Sequence, residues 1–245
     1  MSMKMGLIGR KLGMTRYFHD DGSSLGCTVL SVGPCVVTAQ RTPEKHGYAA
    51  LQIGYEERSA RKITRSQAGY FKKSGLEKVP AVVREVRLDE VKQVTDRKVG
   101  DVITASQVFK SGDVVDVVGV SKGKGYQGVM KRHKMAGDTQ THGTHEFRRH
   151  GGSIGCRLTP GRTFKNKRMS GRMGNERYTA SDLVVVKVLE DKNVVLVKGS
   201  VPGPVNGLVL LKGSTKNVKK YIVPLIQKEV EAKNPMKASK KAAGK

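Results

Sequence analysis

Three sets of residues in this sequence could do chemistry. Cys156 stands beside Arg157 and six residues after His150. A neighbouring cation lowers a thiol pKa and favours the nucleophilic thiolate. No third group to orient the histidine accompanies the pair, and no oxyanion site does either. His133, His142, His145 and His150 form a histidine cluster. Only Cys156 lies near enough to join them on zinc, and no pairing has a known zinc spacing. In a basic stretch, imidazoles more often stack on bases or bond phosphate. Gly123-Lys124-Gly125-Tyr126-Gln127-Gly128 matches the dinucleotide-binding Gly-x-Gly-x-x-Gly pattern. That fingerprint needs a helix, a second strand and an acid about 20 residues on. Here Lys131-Arg132-His133-Lys134 and a Gly-, Thr- and His-rich stretch follow, with no second strand, and Glu146 is not at a strand end. The expectation is a chain with no catalytic residue, no cofactor and no metal.

Charge gives the stronger signal. The 245 residues hold 46 Lys and Arg against 21 Asp and Glu, a net charge of +25. A charge this high repels itself and calls for a polyanionic partner. It is unevenly spread: residues 121–180 carry net +11 and 212–245 net +8, while 1–120 carry +6 and 181–211 are neutral. No apolar run approaches the roughly 18 residues of a membrane span. The N-terminal sequence has no apolar stretch of signal-peptide length, so a cytoplasmic chain is expected. Three cysteines, Cys27, Cys35 and Cys156, are an odd number and suggest free thiols.

The near-neutral parts carry strand patterning. Short β-branched runs at 27–32, 35–39, 49–53, 82–88 and 114–118 are bounded by Gly, Pro and Asp. Residues 66–73 read as a short helix capped by Ser66, with Lys72 and Lys73 at its negative end and Gly75 to stop it. Beyond the basic stretch, 183–189 and 194–197 flank Glu190-Asp191-Lys192-Asn193 as a hairpin. Strands on both sides of 121–180 imply a barrel or small sandwich closed by both chain ends. The expected class is mainly β, with a globular domain over 1–120 and 181–212, a small α/β insertion at about 56–100, and a basic tail over 213–245. Pro224 can open a short helix over 224–231 within that tail.

Residues 121–180 would then leave the barrel and return as a long excursion. They hold 11 of the 29 glycines and 14 basic residues, and Tyr126, Phe147, Phe164 and Tyr178 are their aromatics. Such a composition cannot bury enough apolar surface to offset its ordering entropy in water. Against RNA it makes sense. Lys and Arg neutralise phosphates and release counterions, and Gly lets the backbone approach closely. The residues expected to bind RNA are Lys122, Lys124, Lys131, Arg132, His133, Arg148, Arg149, His150 and Arg157, then Arg162, Lys165, Lys167, Arg168, Arg172 and Arg177. The bland alternative is a solvated, disordered loop. The turn Thr159-Pro160-Gly161 followed by so many cations argues against it.

These residues resemble the universal large-subunit ribosomal protein three family in its bacterial or organellar form. Gly6-Leu7-Ile8-Gly9-Arg10-Lys11-Leu12-Gly13-Met14-Thr15-Arg16 looks like the family's N-terminal strand. Residues 109–116, Gly119, Ser121-Lys122-Gly123-Lys124-Gly125, Gly128 and Arg132 look like its signature. Thr159-Pro160-Gly161-Arg162, Phe164-Lys165, Lys167, Met169, Gly171 and Met173-Gly174-Asn175-Glu176-Arg177 resemble its return strand. Leu196-Val197-Lys198-Gly199 with Val201-Pro202-Gly203 resembles its closing barrel segment. The match covers about residues 4–212.

The resemblance implies a translation-factor-like β-barrel on the ribosome and an extension, here about 121–177, into 23S-type large-subunit RNA. The tip, at Gly152, Ser153, Gly155 and Cys156, would approach the peptidyl-transferase centre. It also implies early subunit assembly, neighbouring large-subunit proteins as partners, and no catalysis. Some relatives methylate a Gln in Gly-Ser-Ile-Gly-Gln. This chain has Cys156 at that position, so that modification is impossible here. No family role is carried onto the tail after about Gly213. Two other classes stand beside this one: a free nucleic-acid chaperone or nucleoid protein, and a nucleotide-dependent enzyme using the glycine-rich loop.

Overall fold

The computed structural model describes residues 5–19, 22–88 and 91–216. The expected helix over 224–231 lies outside the described residues. In chain order the strands are β1 (Gly6–Phe18), β2 (Ser24–Val32), β3 (Cys35–Arg41), β4 (Ala50–Glu57), β5 (Pro80–Arg87), β6 (Val102–Ile103), β7 (Val114–Val120), β8 (Gly125–Gln127), β9 (Gly171–Met173), β10 (Arg177–Leu189), β11 (Val194–Lys198) and β12 (Leu208–Gly213). The helices are short: α1 (Pro43–His46), α2 (Arg65–Lys73), α3 (Val91–Thr95), α4 (Ala105–Val108) and α5 (Val129–His133). The protein is mainly β.

Six strands close a barrel in the order β1-β12-β7-β10-β11-β2, every pair antiparallel. Its inner face follows the period of two that a half-buried strand requires. Val195 and Val197 in β11 and Val209 and Leu211 in β12 are buried, and their neighbours are more exposed. β7 is covered on both faces, which explains why valines occupy both of them. Val115 and Val117 join the core, while Asp116 on the other face accepts a hydrogen bond from the Asp182 N–H at 3.0 Å. The hairpin between β10 and β11 forms as the sequence suggests. The Asn193 N–H donates to Glu190 O at 3.1 Å, and Asn193 takes a left-handed φ of +50°.

A second sheet, β5-β4-β3-β6, packs into the same hydrophobic cluster. Val37, Leu51, Ile53, Val86 and Ile103 meet Leu7, Ile8 and Leu30 there. This corrects the sequence reading at one point. β3 and β4 leave the barrel for this sheet, so the inserted unit begins before residue 56 and reaches past 100. The alternative of a sandwich falls, because the first sheet closes.

Two local readings also change. Thr64, not Ser66, caps α2. Its Oγ1 accepts from the Gln67 N–H, and Gln67 Oε1 accepts from the Thr64 N–H, both at 3.4 Å. That reciprocal pair is a capping box, and it places Ser66 inside the helix. Gly75 does end the turn, with φ of +76° and its N–H on Lys72 O at 3.0 Å. The return strand expected from Thr159 to Arg177 forms only at β9 before β10 begins.

Candidate nucleic-acid interface

Between β7 and β10 the chain runs out and back through residues 121–176, and its two limbs are joined at the root. The Ser121 N–H donates to Glu176 O at 2.9 Å, and the Asn175 N–H to Ser121 O at 3.2 Å. Next, β8 pairs antiparallel with β9, Gly125 facing Met173 and Gln127 facing Gly171. Gly174 permits the closest approach. A Cβ there would stand 2.2 Å from Lys122 O, and its φ is +75°. No strand forms between Gln127 and Gly171, in line with the sequence expectation, and the partner of β8 is the antiparallel β9 of the returning limb.

Beside this root, a buried cation of the barrel holds the loop between β11 and β12. Lys11, in β1, donates from Nζ to Val201 O at 2.8 Å and to Gly203 O at 3.3 Å. Burial lowers its pKa from the ordinary lysine value, and the nearby Lys122 charge lowers it further. The 200–207 loop thus lies between the barrel and the start of the basic segment. Gly119 sits against Pro202 in the same place.

Farther out, side chains join the limbs to one carbonyl. Arg132 Nη1 donates to Met169 O at 2.8 Å, and His133 Nε2 donates to the same oxygen at 3.0 Å. The Arg132 guanidinium covers Gly171, where a Cβ would come within 2.6 Å of Nη1. Tyr126 and Ser170 share a hydroxyl hydrogen bond of 2.6 Å across the limbs. Two residues expected to face RNA, Arg132 and His133, are thus partly committed to holding the segment itself.

The remaining cations face water. Lys122, Lys124, Lys131, Arg148, Arg149, Arg157, Arg162, Lys165, Lys167, Arg168, Arg172 and Arg177 are all exposed. The ion pairs of the described residues are Arg10–Glu56, Arg41–Glu85, Lys78–Glu57 and Lys216–Asp182. None of them uses a cation from 121–180. His150 is exposed as well and lies edge-to-face with Phe147. Val129 is the one buried large apolar side chain of the segment, whereas Leu158 is 86% and Tyr126 74% exposed. Unpaired cations on so small a core have their charge free for a polyanion.

Gly152, Ser153, Gly155 and Cys156 lie in a fully exposed run over 150–159. The Ser153 hydroxyl donates to Gly155 O at 3.2 Å, a local bond only. Cys156 is a free, exposed thiol, and Cys27 and Cys35 are buried free thiols. Burial pushes the Cys35 thiol from 9.0 up to about 11. Gly128 leads into a five-residue helix, not the long helix of a βαβ unit. No metal-binding group of three His, Cys, Asp or Glu side chains gathers among the described residues.

One basic surface escaped the sequence reading. Residues 58–78 hold seven Lys and Arg against the single acid Glu77. Arg61, Lys62, Arg65, Lys72 and Lys73 are exposed along the Ala60–Lys62 turn and α2. Averaging the charge over 1–120 hid them. A window of about 20 residues would have found them.

Residues 50–193 match the family described as Ribosomal protein L3. The chain belongs to that family. It is 48% identical to the large ribosomal subunit protein uL3 of Syntrophotalea carbinolica, over 87% of this chain and the whole relative. It is 45% identical to the proteins of the same description from Herpetosiphon aurantiacus and Trichlorobacter lovleyi, over 89% of this chain and the whole of each relative. Membership of the L3 family makes this a ribosomal protein, not an enzyme, and the nucleotide-dependent reading of the glycine-rich loop falls. The family match spans the whole basic segment, including β8, β9 and β10.

Proposed function

We propose that this chain is a structural constituent of the large ribosomal subunit that binds 23S-type ribosomal RNA directly. In this reading the barrel is of the translation-factor type and stays with the globular part. Residues 121–180 form a glycine-rich extension that runs through RNA toward the peptidyl-transferase centre. The exposed cations from Lys122 to Arg177 neutralise phosphates, and the run around Gly152, Ser153, Gly155 and Cys156 forms the tip. Early subunit assembly, neighbouring large-subunit proteins and a cytoplasmic ribosome belong to the same reading. The observation that carries it is a long, jointed segment whose exposed cations have no acidic partner among the described residues.

A free nucleic-acid chaperone would need positive charge too, but not a membership in the L3 family. Sedimentation of cell extract through a high-salt cushion separates the two. The proposal expects the chain to stay with large subunits after the wash. Its release into the soluble fraction with ordinary nucleic-acid-binding proteins would contradict it.

A further inference from the structure

The basic segment contains a cleft of about 500 Å³ lined by Val129, Phe147, Arg149, His150, Gly151 and Ser170, among others. We propose that this cleft takes one unstacked nucleotide of RNA, with its base on Phe147 and its phosphate on Arg149. The inference rests on the RNA-binding reading above and adds a base-stacking site to it.

The cleft is built, not incidental. Phe147 and His150 sit in the short turn His145–Arg149 and its cap, and the His150 N–H donates to Phe147 O at 2.9 Å. Their rings meet edge-to-face, with centroids 5.0 Å apart and planes at 78°. This corner leaves Phe147 54% exposed. The turn is tied down from behind: the Asp138 N–H donates to Arg148 O at 3.1 Å, and Gly137 packs so tightly that a Cβ would lie 2.6 Å from that oxygen. Opposite, Ser170 is held by the Tyr126 hydroxyl. Val129 closes over Gly151, where a Cβ would lie 3.4 Å from its Cγ1. A stacking surface held in place before binding loses less entropy when the ligand arrives.

The lining also selects the ligand. A flat apolar wall, an imidazole edge, a hydroxyl and an exposed guanidinium fit a base joined to a phosphate. No acidic side chain lines the cleft, so a basic peptide has nothing to meet there. Phe147 supplies the non-ionic part of the interaction and Arg149 the ionic part. The two parts separate by salt.

The test uses the full chain and protein-free large-subunit ribosomal RNA, with affinity measured at several salt concentrations. Phe147→Leu is expected to weaken binding roughly tenfold with an unchanged log–log salt slope, and Phe147→Tyr to restore it. Arg149→Gln is expected to lower the slope by roughly 0.7–0.9. Ultraviolet crosslinking of the wild-type complex gives a readout that needs no variant. A nucleotide adduct between residues 147 and 150 is expected. Wild-type affinity in Phe147→Leu, or crosslinks that avoid 147–150, would overturn the cleft while RNA binding itself stands. Failure of the wild-type chain to bind the RNA would overturn the RNA-binding reading instead.

Discussion

Arg132 Nη1 and the Met169 carbonyl, 37 residues apart in sequence, meet at 2.8 Å and join the outgoing and returning limbs of the basic segment. The bond turns a glycine-rich, highly charged stretch into a jointed arm with its own ladder at β8 and β9. It also spends part of an arginine on the protein, although arginine is the residue best suited to phosphate.

Removing that bond should loosen the arm and leave the barrel alone. In Arg132→Ala the Met169 carbonyl keeps only His133, and the loss is about 1 kcal/mol, or about fivefold in local opening. Limited digestion of free protein with a non-specific protease should cut between 134 and 168 before the barrel. The variant should be cut there several times faster than the wild type. Equal rates in the two proteins would show that the limbs are held elsewhere.

Cys35 gives a pH-dependent prediction in the core. Burial raises its folded thiol pKa from 9.0 to about 11, with the Ile8 carbonyl as its hydrogen-bond acceptor at 3.5 Å. The unfolded thiol ionises first as pH rises, so the unfolded chain binds fewer protons above about pH 9. Stability from this group is therefore complete below pH 9 and is lost as pH climbs to about 11. The shift corresponds to about 2–3 kcal/mol. The stability difference between the wild type and Cys35→Ala should shrink by that amount from pH 8 to 11 in denaturant unfolding. A difference independent of pH would mean that the thiol is not desolvated.

Gly155→Val separates the free fold from the assembled role. A Cβ at Gly155 would find only Arg162 O, at 3.8 Å, so the isolated chain has room for it. Thermal melting should be unchanged. If RNA surrounds this run in the subunit, the same valine should slow assembly or alter sensitivity to peptidyl-transferase drugs. Normal growth, assembly and drug response together would move the tip elsewhere.

Much of this was legible in the sequence, and the reasons differ from residue to residue. Val194 to Val197 form a valine-rich apolar run directly after the turn Glu190-Asp191-Lys192-Asn193, so β11 could be read from local sequence alone. The sheet that β3 joins could not. Its pattern resembles that of β2, and membership is decided by nonlocal register, Cys35 against Tyr55 and Ile103. The cations of the arm were visible as charge, but the Arg132 and His133 contacts were hidden because their acceptor is the backbone oxygen of Met169. Phe147 was visible only as an isolated aromatic. Its corner with His150 depends on a short turn held by Gly137 and Asp138, a contact no local pattern announces.

The most direct test of the central claim concerns Arg162, Lys165 and Lys167, exposed cations on the returning limb with no acidic partner among the described residues. The measurement is the affinity of the full chain for protein-free large-subunit ribosomal RNA across a salt series, wild type against the triple change to Gln. Each lost phosphate contact should lower the log–log slope by roughly 0.7–0.9, so the triple variant should fall by about 2 to 3 in all. A triple variant with the wild-type slope would contradict the account, because these cations would then not be on phosphate.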